Sequence, residues 1–340
     1  MTARSVQIGD DRRLVVVDRP VPPPGPAEVE VTVAYCGICG SDLHFRDVPA
    51  LFPTGTVPGH ELSGRISAVG DAEEGWSVGD RVAVLPFAQC GECELCRAGE
   101  EQVCPYAVDN GVGLGTGRAG GYAERVLVDA RMLFALPDGL DDAAAALAEP
   151  VAVGVHAVAK AGASPDAPVA VVGAGPIGLV TALVLRARGF ERLVIVSRNP
   201  ARARAAEELG LATVALDDAP SGVSAALGVA PAVVFECAGT PDAATLAVHL
   251  VRQLGRVVLV GIALDTLSLP ATAIVFNEVE IAGALTYRRD EFAEAIDLLA
   301  AGDVPSRALI TGVVGLERAE EMFQTLTAPG NTHIKVLLEP

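Results

Sequence analysis

The sequence predicts an α/β protein of two domains, one β-rich and laden with loops, the other a doubly wound parallel sheet. Three observations carry that expectation: the length of 340 residues, a first half of short apolar runs punctuated by glycine and proline, and a regular alternation of strand-like and helix-like blocks after Glu149. At roughly 100–200 residues per domain the chain divides in two, each part able to bury its own core. A composition of 51% hydrophobic and 20% charged residues excludes a disordered or collagen-like chain.

In chain order, residues 14–17, 29–33, 81–85 and 123–128 are β-like runs between turns, with a stiff proline-rich stretch at 20–26. Glycines at 111, 113, 115 and 117 alternate and predict a mobile loop. Residues 143–163 are helical in composition. Apolar β runs then recur at 170–172, 193–196, 233–236 and 257–260, separated by helix-like blocks such as 200–209, which is the pattern of a parallel sheet covered on both faces. From residue 286 the chain offers an amphipathic helix at 291–301, another after Leu316 and a last strand at 334–338. These return to complete the first domain, so the expected division is 1–149 with 286–340, and 150–285.

Forty-three acidic against 25 basic residues give a net charge of −18 and a pI near 4.6. Such a surface repels phosphate backbones, and no basic stripe offsets it, so nucleic acid is not an expected partner. The longest apolar stretch, 169–185, is broken by Gly173, Gly175, Pro176 and Gly178 and is short for a bilayer span. No membrane contact is expected. The first residues show no apolar run ahead of a cleavage site. Seven cysteines, four of them between 90 and 104, suit metal ligation by reduced thiols better than a disulfide scaffold. A cytoplasmic location follows as the expectation.

Gly173-x-Gly175-Pro176-Ile177-Gly178 stands directly after an apolar strand and at the head of an apolar helix. In that context the glycines permit a tight turn, close approach of a pyrophosphate and close helix–strand packing, with the helix N-terminus facing the anion. One strand later, where an acid would accept hydrogen bonds from a ribose 2′-hydroxyl, the sequence has Ser197 followed by Arg198, with Arg202 a turn further on. An acid would repel a 2′-phosphate, whereas serine can bond to it and arginine can pair with it. NADP(H) is therefore expected over NAD(H).

Cys90, Cys93, Cys96 and Cys104 can close a tetrahedral zinc site with no position left for substrate, so that zinc is expected to be structural. A second set is dispersed: Cys39, His60, and either Glu61 or Glu149 as the third ligand. One thiolate, one imidazole and one carboxylate suit zinc with a vacancy for a substrate oxygen. Cys36 makes a C-x-x-C with Cys39, but no βαβ pattern surrounds it, so Cys36 and Cys237 read as buried spectators.

These motifs resemble the zinc-containing medium-chain alcohol and polyol dehydrogenases, especially the sorbitol, butanediol and threonine dehydrogenase branch. The marks are CGICGSDLH at 36–44, PGHELSGRISAVG at 58–70, VGDRV at 78–82, the four-cysteine run, GGYAE at 120–124, AEPVAVGVHA at 148–157, GAGPIG at 173–178 and VVFECAG at 233–239. They span almost the whole chain. The resemblance implies a GroES-like catalytic domain built from both chain ends, a Rossmann domain between them, two zinc ions per subunit, a small-molecule alcohol or ketone substrate, and a homodimer or homotetramer. It makes Ser41 the first member of a proton relay, with His44 next, and places a basic residue, here Lys335, near the cofactor; a surface lysine is the other reading of that position. Asp42 is expected to orient His60 through its second ring nitrogen. Phe45, Phe52, Leu114, Tyr122 and Ile262 are pocket or core positions. A zinc-free reductase on the same scaffold, a non-catalytic cofactor-binding protein and a zinc-ribbon nucleic-acid binder are the competing readings.

Overall fold

The structure is a computed structural model describing residues 2–115 and 117–340. Its strands are β1 (Thr2–Ile8), β2 (Leu14–Pro20), β3 (Glu28–Gly37), β4 (Glu61–Val69), β5 (Arg81–Val84), β6 (Arg125–Asp129), β7 (Leu133–Ala135), β8 (Val169–Val172), β9 (Leu193–Ser197), β10 (Ala212–Ala215), β11 (Val233–Glu236), β12 (Arg256–Leu259), β13 (Glu280–Gly283), β14 (Ile310–Gly315) and β15 (Lys335–Glu339). The chain forms two compact units, Met1–Glu149 with Arg288–Ala300 and Leu309–Pro340, and Pro150–Tyr287 with Ala301–Ala308. The expected α/β class, a β-rich part and a parallel sheet, is what the structure has.

In the first unit a seven-stranded sheet runs β14-β15-β3-β4-β5-β7, with β6 also paired to β3, and β1 and β2 form a separate hairpin. β3 puts Val29, Val31 and Val33 in the core, while Glu30 on its other face is also buried and pairs with Arg125. The last strand, β15, pairs with β3 at Leu338 and Cys36, which brings the end of the chain beside the segment leading to Cys39. Helix Ala319–Thr327 buries Met322 and Phe323 in the same core.

The second unit is a six-stranded parallel sheet in the order β10-β9-β8-β11-β12-β13. β8 and β11 are four-residue runs buried on both faces, as a sheet covered by helices requires. The strand order reverses between β8 and β11, and the glycine turn follows β8 at that switch point, where open α/β sheets bind ligands.

Some elements differ from expectation. The helical block at 143–163 is two helices, Asp142–Ala145 and Ala148–Ala161. The alternating glycines are packed: a Cβ at Gly113 would strike the backbone of Gly59, one at Gly115 the Leu51 carbonyl and Phe52, and one at Gly117 the backbone of Gly111. Gly113 thus lets the loop lie against Gly59, next to His60, while Gly117 lets it close on its own Gly111. Among the described residues no helix is long and apolar enough to cross a membrane.

Candidate active site

Helix Gly40–Phe45 starts from Cys39, whose extended backbone serves as its N-cap. Asp42 closes the cap, its Oδ2 accepting the Cys39 N–H at 3.1 Å. His60 and Glu61 arrive on the other side through Gly59, which has φ +99° and where a Cβ would run into the Tyr122 ring and the Cys36 sulfur. A side chain at Gly37, opposite Glu61 in the β3–β4 register, would occupy the space of the Glu61 carboxylate. The ligand atoms of Cys39, His60 and Glu61 all lie within 4.8 Å of one another. His60 and Glu61 are buried, 5% and 1% exposed.

Around this set the polar groups converge. His60 Nδ1 and Asp42 Oδ1 face each other at 3.5 Å, longer than a normal hydrogen bond, and neither has another partner. Burial works against a charged His60, but the negative charges of Asp42 and Cys39 outweigh it and raise the imidazole well above its usual range. A cation arriving there must therefore displace a proton. A thiol, an imidazole and a carboxylate in a buried pocket fit a zinc ion.

Lys335 is buried, not on the surface. Its Nζ donates to both Glu61 oxygens at 2.6 and 2.7 Å and to the Ile38 carbonyl at 3.2 Å. Burial alone would lower its pKa; the charges of Glu61, Cys39 and Glu149 reverse the sign and raise it. Glu149, second residue of helix Ala148–Ala161 and 6% exposed, lies outside the close ligand set yet near enough to act on Lys335.

Cys90, Cys93, Cys96 and Cys104 form the other convergent set: all four sulfurs lie within 4.8 Å of one another, and Cys90 is 3.6 Å from Cys104 and 3.9 Å from Cys96. The backbone N–H groups of Glu92 and Cys93 lower Cys90 to about 7, whereas burial pushes Cys96 up to about 12. Four thiols so close cannot all ionise without a cation between them, and tetrahedral zinc answers that demand. All seven cysteines are free.

In the second unit Gly173 has φ +111°, and a Cβ at Gly178 would collide with the Gly173 carbonyl. Gly175 caps helix Pro176–Ala187, with proline at the first turn. The Arg202 guanidinium lies 3.7 Å from where a Gly175 Cβ would be.

Two family models match the chain: the alcohol dehydrogenase GroES-like domain over residues 25–138 and the zinc-binding dehydrogenase over 176–301. A sorbitol dehydrogenase of Arabidopsis thaliana is 34% identical over 93% of this chain and 90% of its own length. This chain belongs to the zinc-containing medium-chain alcohol and polyol dehydrogenases. An alcohol dehydrogenase of E. coli CFT073 complexed with NADH has a TM-score of 0.91 at 29% identity, covering 100% of this chain and 99% of that one. A zinc-binding dehydrogenase from Sinorhizobium meliloti 1021, described as bound to NADP, has a TM-score of 0.90 at 30% identity, with 100% of both chains covered.

The chain is a zinc-dependent alcohol dehydrogenase acting on CH–OH groups with a nicotinamide cofactor. Cys39, His60 and Glu61 come together, and so do the four thiols of 90–104. Asp42 reaches His60, with no exposure to solvent. Ser41 is half-buried on helix Gly40–Phe45 and His44 is exposed three residues on, in its last turn. Ser197 is buried at the end of β9, where its hydroxyl donates to the Asn199 carbonyl at 3.0 Å; Arg198 is exposed beside it. Of the pocket candidates, Phe52 and Tyr122 are core residues, 1% and 0% exposed, and Ile262 is 55% exposed. Phe45 meets Phe52 edge-on at 6.0 Å. Sequence reasoning missed two features of this dehydrogenase: the Lys335–Glu61 pair and the Tyr122 hydroxyl, which donates to Asp42 at 2.7 Å.

Proposed function

We propose that this dehydrogenase interconverts a secondary alcohol of polyol, diol or sugar type and its ketone, with NADP(H) favoured over NAD(H). The substrate class is supported by the sorbitol dehydrogenase of Arabidopsis. The cofactor preference is carried by one observation: the strand end that would present an acid to a ribose presents Ser197, with Arg198 exposed beside it. Arg202, near Gly175, adds a second cation. NADH-bound and NADP-bound neighbours share the fold equally well, so the preference rests on these side chains. NAD(H) use is the second reading, favoured by the Ser197 hydroxyl already being engaged with Asn199.

Bound zinc, held by Cys39, His60 and Glu61 with Glu149 in reserve, supplies an electrophile for the substrate oxygen, and the nicotinamide supplies the hydride acceptor or donor. The glycine turn and the N-terminus of helix Pro176–Ala187 hold the cofactor pyrophosphate. Ser41 accepts the substrate proton through a hydroxyl that can both donate and accept. His44, exposed in the next turn of the same helix, returns that proton to water. Asp42 keeps the His60 ring in place, and Lys335 keeps the Glu61 carboxylate from drifting as an isolated buried charge. The four thiols of 90–104 hold a second, structural zinc with no open position.

A homodimer or homotetramer accompanies this reading. β13 ends the parallel sheet with an unpaired edge, and Val275 and Phe276 before it are 69% and 79% exposed, an apolar surface suited to burial against another copy.

The test is the ratio of kcat/KM with NADPH to that with NADH. The native enzyme should prefer NADPH, and Arg198→Ala should lower that efficiency about 10- to 100-fold, the scale of a charge-assisted hydrogen bond, while leaving the NADH value nearly unchanged. Native preference for NADH, or a ratio that does not move in the variant, discards the cofactor reading.

A further inference from the structure

We infer that Tyr122 is a positioning residue for the zinc-binding histidine, acting through Asp42. The inference rests on reading Cys39, His60 and Glu61 as the zinc site. Tyr122, Asp42 and His60 are 0%, 0% and 5% exposed, and they form a row. The Tyr122 hydroxyl lies 2.7 Å from Asp42 Oδ2 and 3.5 Å from the Gly37 carbonyl, so its single proton goes to the carboxylate. The same oxygen accepts the Cys39 N–H at 3.1 Å. Both donors on Oδ2 leave Oδ1 to face His60 Nδ1. With a cation on Nε2, the remaining ring proton on Nδ1 would face that oxygen.

The ring itself is held for other reasons. It fits against Gly59 and meets Phe323 edge-on at 6.2 Å, contacts that phenylalanine would make as well. A hydroxyl placed in such a core costs free energy unless it is hydrogen-bonded, and the partner it finds is the Asp42 carboxylate, which faces the metal-binding imidazole. Burial and the Asp42 charge raise the phenol well above its usual pKa, so it remains a donor. Without it, Asp42 keeps only the Cys39 N–H on Oδ2 and is free to rotate away from His60. The signal in the sequence is a tyrosine inside GGYAE where only ring packing is required.

The test uses the full-length, zinc-loaded enzyme. Zinc release to a chelator is followed by elemental analysis, and the active-site metal is also replaced by cobalt(II) to record its visible absorption. Tyr122→Phe should release the active-site zinc about tenfold faster, the lower end for loss of an outer partner of a metal ligand, and should shift the cobalt band. The zinc of 90–104 is the internal control and should leave at the wild-type rate. Asp42→Asn should show the same loss, and adding Tyr122→Phe to it should change release less than about twofold beyond the Asp42→Asn effect, because the two act in one chain. 4-Aminophenylalanine at position 122, which keeps a donor, should restore slow release and serves as the probe if the phenylalanine variant does not fold: its cobalt band must match the wild type.

Release within twofold of wild type and an unmoved cobalt band in Tyr122→Phe overturn the inference, as does a displaced band in the aminophenylalanine variant. A wild-type enzyme holding a single zinc, confined to the four thiols, overturns the zinc-site reading itself and this inference with it. Two zinc ions in the wild type with no effect of the variant overturn only the role of Tyr122.

Discussion

The two convergent clusters of the first unit are built in opposite ways. The thiol cluster takes all its ligands from residues 90–104, on a loop turned by Gly91 and Gly99, both with positive φ, and a four-residue helix capped by Cys93. Its donors are all thiols, and together they close a site around a cation with no open position. The other cluster draws Cys39 from a helix cap, His60 and Glu61 from the start of β4, and Lys335 from the last strand. Its ligands are unlike one another: Asp42 of the adjoining helix stands beside Cys39 and faces His60, and Lys335 of the last strand holds Glu61. A local cluster can order a loop; only a distributed one leaves a metal with a position to spare and surrounds it with groups that tune it.

Cysteine removal breaks this comparison most directly and should have the largest effect. Cys39→Ala should remove the zinc of the proposed active site, leaving only that of the four thiols, and bring turnover to background, well past the 10- to 100-fold typical of losing an outer partner. Binding of NADPH should survive, because the glycine turn belongs to the other unit. Elemental analysis with a fluorescence titration of cofactor checks both, and a variant that keeps two zinc ions or full turnover contradicts the assignment.

Next in size is the buried ion pair, which the thiol cluster lacks. In the metal-free protein Lys335→Met leaves Glu61 as an uncompensated buried charge, a change that costs about 3–5 kcal/mol in buried pairs. Lys335→Met combined with Glu61→Gln should recover part of that loss, since the unpaired charge is gone. Urea denaturation of the three variants gives the coupling between the two residues. A loss below about 1 kcal/mol in the single variant would show that Glu61 has another counterion and that Lys335 is dispensable.

The contrast also explains what the sequence could reveal. Cys90 to Cys104 are legible because their spacing is their geometry, and Gly173 to Gly178 because strand, turn and helix follow one another. Lys335 and Glu61 are 274 positions apart, and only the pairing of β15 with β3 brings them together. Tyr122 and Asp42 are 80 apart. β4 did not stand out as a strand: it opens Glu61-Leu62-Ser63-Gly64-Arg65, where function and close packing displaced the apolar residues that mark a strand. Thr32 explains Gly64, since a Cβ there would strike its carbonyl. β10 and β13 lie at the two ends of the parallel sheet and are only four residues long, with too little burial to show an apolar run. The glycines of 111–117 carried a true signal of unusual backbone, but composition does not distinguish a loop that moves from one that another backbone presses against.

The smallest expected effect concerns pH and separates the ion pair from every other source of stability. Glu61, Cys39 and Glu149 raise the folded-state pKa of Lys335 above its ordinary value despite the opposing effect of burial. A cation whose pKa is raised on folding adds stability that is fully present below its unfolded pKa, about 10.4 for lysine, and is lost as pH rises through the higher folded value. The stability difference between metal-free wild type and the double variant Lys335→Met, Glu61→Gln, in which no unpaired carboxyl is left to titrate, should therefore be flat from about pH 7 to 9.5 and shrink above about pH 10.5. Denaturation of both proteins across that range measures it. A difference that instead changes between about pH 6 and 8 would assign the stabilisation to a histidine or thiol and not to the lysine.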